Sequence, residues 1–448
     1  MINAKILLCA AIACAVWGGN AMAMDLSLKD AVAKIVAESQ DIKKADANIK
    51  RAQAGLSAAN ANRWFKVDAS ASYMNLINVK QPTKSYGVDL PPELGGLIAG
   101  ALESEADAPS HIEIPDNIFM AGVSVTQPIY TFGKIGNAVD GMRAAINISN
   151  ESREMTLREV KYSATDMYWT AKMTDEIVRV AQKNLDDAVA AKKSLSSAGR
   201  ANRSNLVKIE SDIATKQINL SDAEFNRDTA HRMLKILAGI DVDEELNLTD
   251  NFPDKFGELN AGKLESTPEW NILNQQVRMY ESQASSKRAG AYPTLAAMAS
   301  YNYIAMDADF DRMFKGNNNQ SAYWGLSLQV PIFSGGLNRA NATVDAMSAE
   351  AARQDLDKSK KITTEKYENA IKQYNHLRGN LATLANAREL AAKAYTFSQQ
   401  RFAAGQTSAV ELAEVSSGLY QLDLALLNSK YKILMSAAAV EKLNGGNL

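Results

Sequence analysis

Residues 134–197 and 337–402 contain no proline and read as two nearly unbroken helices. At about 1.5 Å per residue, rods of roughly 65 residues approach 100 Å, too long for the interior of a compact domain. The first rod carries an apolar seam at alternating steps of three and four, from Leu157, Val160, Ala164, Met167 and Ala171 on to Ala188. The spacing is that of a coiled coil, but many of the residues are small enough to let neighbouring backbones approach closely. Each rod precedes a glycine, Gly199 or Gly405, and then a second helix, over about 202–237 and 409–443.

A different period precedes each rod. In 67–76, Val67, Ala69, Ala71 and Tyr73 alternate with Asp68, Ser70 and Ser72. In 119–129, Ala121, Val123 and Val125 oppose Gly122, Ser124 and Thr126, and Pro128 is expected to close that strand. Leu295, Ala297, Ala299, Tyr301 and Tyr303 alternate again after Pro293, and Trp324, Leu326, Leu328, Val330 and Ile332 form a fourth segment. Strict two-residue alternation is the mark of strands with one apolar and one polar face.

The chain is duplicated. Val123-Ser124-Val125-Thr126-Gln127-Pro128-Ile129-Tyr130 parallels Leu326-Ser327-Leu328-Gln329-Val330-Pro331-Ile332-Phe333, and each leads into its rod through a glycine turn, Gly133 or Gly335-Gly336. Each half reads helix, strand, loop, strand, long helix, turn, helix. Ser27 with Asp30 opens the first helix, which is expected to run unbroken to about Ala61, and Thr267-Pro268 opens its counterpart. The expected division is 1–23 signal peptide, 24–238 first repeat, 239–265 connector, 266–443 second repeat and 444–448 tail. Residues 77–117, with five prolines and an acidic second half, read as a long exposed loop.

The N-terminus shows why strands matter here. Lys5, the apolar run 6–17 and Ala21-Met22-Ala23 form the basic, apolar and small-residue regions of a secretory signal. Cys14 after Ala11-Ile12-Ala13 resembles a lipoprotein cleavage site only loosely. Both cysteines lie within this leader, so cleavage after Ala23 leaves no disulfide or thiolate chemistry. Of 49 Lys and Arg, removing Lys5 leaves 48 against 51 acidic residues, a balance that gives no support to nucleic-acid binding. No other apolar run is long enough for a transmembrane helix. A membrane-spanning part must then be β-structure, and open sheet edges cannot stand in lipid. Four strands are too few for the smallest usual barrel of about eight, so such a chain must assemble.

Gln127-Pro128 with Gly133, Pro331-Ile332-Phe333 with Gly335-Gly336, and the run Arg401-Phe402-Ala403-Ala404-Gly405 carry a more specific signal. Val410-Glu411-Leu412-Ala413-Glu414, Leu419-Tyr420 and Lys430-Tyr431 extend it. On these residues the chain, over 27–443, resembles the TolC-type outer-membrane efflux protein family. The resemblance implies an α+β membrane protein with duplicated long helical segments and four transmembrane β-strands per protomer. It further implies a homotrimer with a twelve-stranded β-barrel in outer-membrane lipid and a twelve-helix periplasmic barrel. A periplasmic adaptor and an inner-membrane transporter would be partners, and drug efflux or type I protein secretion the activity, with no catalytic step, cofactor or metal. Acidic residues that guard the periplasmic entrance in the family correspond to Glu411 and Glu414. The same positions suit a helix's positive end, where carboxylates are common without any such role. Phe402 stands where the family often has an aromatic hydroxyl, and Thr407 where it often has arginine. Gly199, Arg200 and Arg203 form the first-half counterpart of the Phe402–Gly405 turn and, with it, a candidate gate or docking region.

Rival readings are a secreted coiled-coil structural or adhesion protein, which leaves the duplicated strands unexplained, and an enzyme. His111, His231 and His376 stand alone in sequence, and no phosphate-binding glycine loop is present.

Overall fold

A computed structural model describes residues 24–75, 117–197, 203–259, 262–307, 309–312, 314–315 and 318–445. The leader 1–23, nearly all of the acidic loop, Gly199, Arg200 and the last three residues lie outside the described residues. In chain order the elements are β1 (Met24–Leu26), α1 (Leu28–Glu38), α2 (Gln40–Ala61), β2 (Lys66–Asn75), β3 (Asn117–Tyr130), α3 (Lys134–Ser197) and α4 (Arg203–Ala238). The second half adds β4 (Leu246–Leu248), α5 (Pro268–Ala289), β5 (Thr294–Asp307), β6 (Asn318–Gln329), α6 (Leu337–Ala403) and α7 (Ala409–Asn444).

Two compact units result. One holds 53–144 and 278–349, and the other 24–52, 145–277 and 350–445; their boundaries fall inside α2, α3, α5 and α6, so each sequence half contributes to both.

The first unit is built on an antiparallel sheet in the order β2-β3-β5-β6. Its register matches the sequence pattern strand by strand. Val67 pairs with Val125 and Ala69 with Val123, Val123 with Tyr301 and Val125 with Ala299, and Ala299 with Trp324 and Ala297 with Leu326. Directly paired residues share a face, so all four apolar sets fall on one side and the serine, threonine and glycine sets on the other. The apolar side is exposed, with Trp324 at 83% and Leu326 at 68%. At the distal end the Asn117 amide oxygen accepts from the Tyr73 hydroxyl at 2.6 Å and from Asn75 Nδ2 at 2.8 Å, joining β2 to β3.

Two strand ends differ from expectation. β3 continues through Pro128 to Tyr130, with a register shift between them. Proline is tolerated because β2 ends at the Lys66–Thr126 pair, so no strand on that side needs its N–H. The fourth strand stops at Gln329, paired with Thr294, the first residue of β5; Val330 and Ile332 have no strand opposite them.

The second unit is helical around a two-stranded parallel pair, β1 with β4. Leu26 and Leu248 from that pair bury against Ile35 of α1, Tyr168 and Trp169 of α3 and Leu234 of α4. The Tyr168 hydroxyl lies 2.7 Å from Asp250 Oδ2 and 3.1 Å from Leu26 O, and it accepts from the Asp250 N–H at 3.2 Å. The same carboxylate accepts from the Leu28 N–H at 2.7 Å, beside the N-cap of α1 at Ser27, whose Oγ accepts from the Asp30 N–H at 3.2 Å. Burial among these groups pushes the Tyr168 hydroxyl well above its ordinary value. The first helix, expected to be continuous, breaks at Ser39, which leaves the helical conformation (φ −55°, ψ 120°) and whose Oγ accepts from the Ile42 N–H to start α2. Its own capping oxygen lets serine end one helix and begin the next. The α3 seam is confirmed: Ala164, Ala171, Thr174, Ala181 and Ala188 are all buried.

Candidate functional site at the turn of the helix pair

The turn between α6 and α7 is determined by both its ends. Gly405 takes a left-handed conformation (φ 74°); its N–H donates to Phe402 O at 2.9 Å and the Gln406 N–H donates to Arg401 O at 2.8 Å. This is the Schellman pairing that satisfies the last carbonyls of α6, and only glycine enters it without a Cβ penalty. Three residues after Gly405, Ser408 caps α7 by accepting from the Glu411 N–H at 3.2 Å. Ser408-Ala409-Val410-Glu411 thus has capping-box spacing, a signal legible in the sequence and overlooked there. The Glu411 carboxylate accepts from the Thr407 hydroxyl and faces Arg401 Nη1 at 3.5 Å. Glu414, one turn further, is exposed and lines a shallow groove with Lys208 and Asp212 of α4.

Phe402 is 5% exposed and packs with Leu195, Ile209, Tyr395, Ala409 and Leu412, so one side chain from each of α3 and α4 and two from each of α6 and α7 close around the turn. It serves as packing. Gly199 and Arg200 lie outside the described residues, and Arg203 is the exposed first residue of α4.

Beyond the turn, α3, α4, α6 and α7 meet at a polar cluster that the sequence reading missed. Lys216, 4% exposed, donates to Asn184 Oδ1 at 2.7 Å and to Ser416 Oγ at 3.0 Å, with Asp212 Oδ2 at 3.7 Å. Ser416 Oγ in turn donates to Asn184 Oδ1 at 2.9 Å. Burial lowers the Lys216 ammonium from its ordinary range, and Asp212 opposes that shift. Burial raises the neighbouring Asp187 carboxyl. The Tyr395 hydroxyl, pushed up to about 12 mainly by burial, bonds to Gln399 and Ser416.

Two further polar contacts brace this unit, Arg388 to Asp423 at 2.6 Å and His231 to Asp175 at 2.8 Å. Among the described residues no group of acids, histidines or cysteines could hold a metal ion.

A family model described as outer membrane efflux protein matches residues 31–239 and 264–446, nearly the whole folded chain. The chain belongs to the outer membrane efflux protein family. Solved structures of the family's fold align along most of this chain. The VceC outer membrane protein of Vibrio cholerae is 15% identical, with a TM-score of 0.74 over 94% of this chain and 96% of its own. The Neisseria gonorrhoeae MtrE outer membrane channel gives 15%, 0.74, 94% and 89%. The Campylobacter jejuni CmeC outer membrane channel gives 16%, 0.73, 94% and 85%. A search of curated protein sequences returned no match. Membership makes the chain an outer-membrane channel of an efflux or export system, with its helical region in the periplasm and no catalytic chemistry.

Proposed function

We propose that three copies of this chain close into a duct that passes small molecules outward from an inner-membrane transporter, with a periplasmic adaptor joining the two. The observation that carries this reading is the four-stranded sheet with an exposed apolar face and two strand edges, β2 and β6, that no other strand among the described residues covers. Edges of that kind cannot stand in lipid, and β2 of one copy against β6 of the next removes all of them at once. Three copies give a twelve-stranded barrel, within the range of outer-membrane proteins. Planar-bilayer conductance and cross-linking of the purified protein test the assembly: trimeric species with discrete conductance support it, and a soluble monomer without conductance rules it out.

The entrance would lie at the α6–α7 turn. Threefold symmetry would arrange Glu411 and Glu414 as two acidic rings, and the Glu411 cap leaves Glu414 as the freer carboxylate. Glu411→Gln with Glu414→Gln should weaken block by divalent cations; unchanged block rejects the rings. The adaptor would dock about the two turns, Gly199–Arg203 and Phe402–Gly405. Type I protein secretion is the second reading; the same fold serves either cargo.

A further inference from the structure

Aromatic side chains gather at both ends of the sheet. At the end away from the helices, Tyr73 meets Phe310 edge-on at 5.5 Å, and Phe119 meets Phe314 at 5.3 Å and Tyr303 at 6.3 Å. At the helix end, Tyr130 packs on Phe132 at 4.6 Å and Phe132 stacks on Tyr292 at 5.8 Å. Phe119 and Tyr130 of β3 mark the two levels. The strand between them runs about 36 Å at about 3.3 Å per residue. A tilt of about 40° shortens this to about 28 Å, close to the roughly 25 Å of an apolar band flanked by aromatic girdles. The helix-end cluster thus marks the periplasmic interface.

At that level the four helix–strand junctions are tied to one another. Gln127 Nε2 donates to Arg63 O at 2.8 Å, Ser286 Oγ to Lys134 O at 2.9 Å, and Asn338 Nδ2 to Gly290 O at 3.0 Å. The junctions also share one sign of charge. Segments 60–65, 127–136, 286–294 and 329–340 contain Arg63, Lys134, Lys287, Arg288 and Arg339 and no acidic residue, although acidic residues outnumber basic ones in the whole chain, 51 to 49.

Within this band lies a concave place, a pocket of about 410 Å³ lined by Asn60, Arg63, Trp64 and Gln127. Gln127 continues the alternation of Val123 and Val125 and pairs with Ala297, so it belongs to the apolar face. The pocket therefore sits where the lipid-facing surface meets the basic band. We propose that it binds the phosphodiester headgroup of a phospholipid in the periplasmic leaflet. Arg63 offers its fork of N–H donors to the phosphate oxygens, and Asn60 offers an amide. Trp64, 68% exposed, suits the headgroup level, where amphipathic rings collect. The adjoining apolar face gives acyl chains a surface that free phosphate could not use, which favours the lipid over the ion. The inference rests on the sheet's place in the outer membrane and not on the number of copies.

The test is native mass spectrometry of the full chain released from nanodiscs of phosphatidylcholine containing phosphatidylglycerol, with insertion scored separately by protease protection. Wild type should retain phosphatidylglycerol, and Arg63→Gln should lower its apparent affinity at least about tenfold. Arg339→Gln, outside the pocket, should leave retention unchanged. Asn60→Leu is a second variant with the same expected direction of loss should Arg63→Gln fold poorly. Millimolar inorganic phosphate should not displace the lipid. Equal retention by wild type, Arg63→Gln and Asn60→Leu overturns the site, as does full displacement by inorganic phosphate. Failure of the wild-type chain to insert overturns the membrane placement itself, and the pocket with it.

Discussion

The sheet and the helical tip solve opposite problems with the same twenty side chains. On the sheet, Trp324 and Leu326 stand exposed on a face shared with Val67, Val125 and Ala299. In the tip, an ammonium group is 4% exposed among Asn184, Asp212 and Ser416. The difference teaches that exposure and polarity are uncoupled in this chain: one region meets a solvent poorer in polarity than its own backbone, and the other encloses a charge that must be fully satisfied from within.

Several substitutions would break or sharpen that contrast. The largest effect is expected from Val125→Arg, halfway between the two aromatic levels on the apolar face, at about 2–4 kcal/mol. Urea unfolding of the refolded protein in bilayers measures it, and Ser124→Arg on the opposite face should cost much less. Equal costs for the two would erase the distinction between the faces. Next comes Lys216→Ala, at about 1–3 kcal/mol, because it removes packing and three polar contacts together. Lys216→Met, which keeps the volume, should lose less, and Ser416→Ala should then add little in the Met background. If Ser416→Ala costs as much there as in wild type, the two residues do not act as one cluster.

A smaller effect, about 1 kcal/mol, is expected from Ser408→Ala, which removes the cap of α7. It also probes Glu411: were that residue only a ring carboxylate, losing the cap would leave divalent block unaltered. The smallest effect is expected from Asp187→Asn, and it depends on pH. The folded-state value of Asp187 is raised, so the folded chain holds that proton more tightly than the unfolded chain. Its favourable contribution is full below the unfolded value and disappears as pH rises through the folded one. Asp187→Asn should therefore be more stable than wild type at neutral pH, with the gap closing in acid. Thermal melts at both conditions would show this, and a gap of constant size would remove the carboxyl from the account.

Much of the architecture could be read from period alone. Alternation in four short segments predicted which side chains share a face, and the register bears this out across β2, β3, β5 and β6. The rods and the helices that follow them fell within a residue or two of expectation, because long proline-free stretches ending in glycine leave few alternatives. Period failed where one residue's hydrogen bonding overrode it. Ser39 broke a helix by capping its successor, and Pro128 stayed in a strand because its missing N–H faced no partner. The three-residue strands β1 and β4, 222 residues apart, were too short for any pattern to signal. The Lys216 cluster was hidden for another reason: Asn184, Lys216, Tyr395 and Ser416 are ordinary helix-surface residues in sequence, and only tertiary packing joins them.

The two uncovered edges of the sheet have a consequence for how the protein comes into being. Under the proposed assembly, β2 and β6 are different surfaces, so each copy binds its neighbour head to tail, and a chain with one spoiled edge can still accept a neighbour on the other. Such a chain would join a nascent ring and stop it from closing. Folding into the membrane then becomes a mass-action process in chain concentration, and a defective copy made beside normal ones should deplete them rather than merely fail alone.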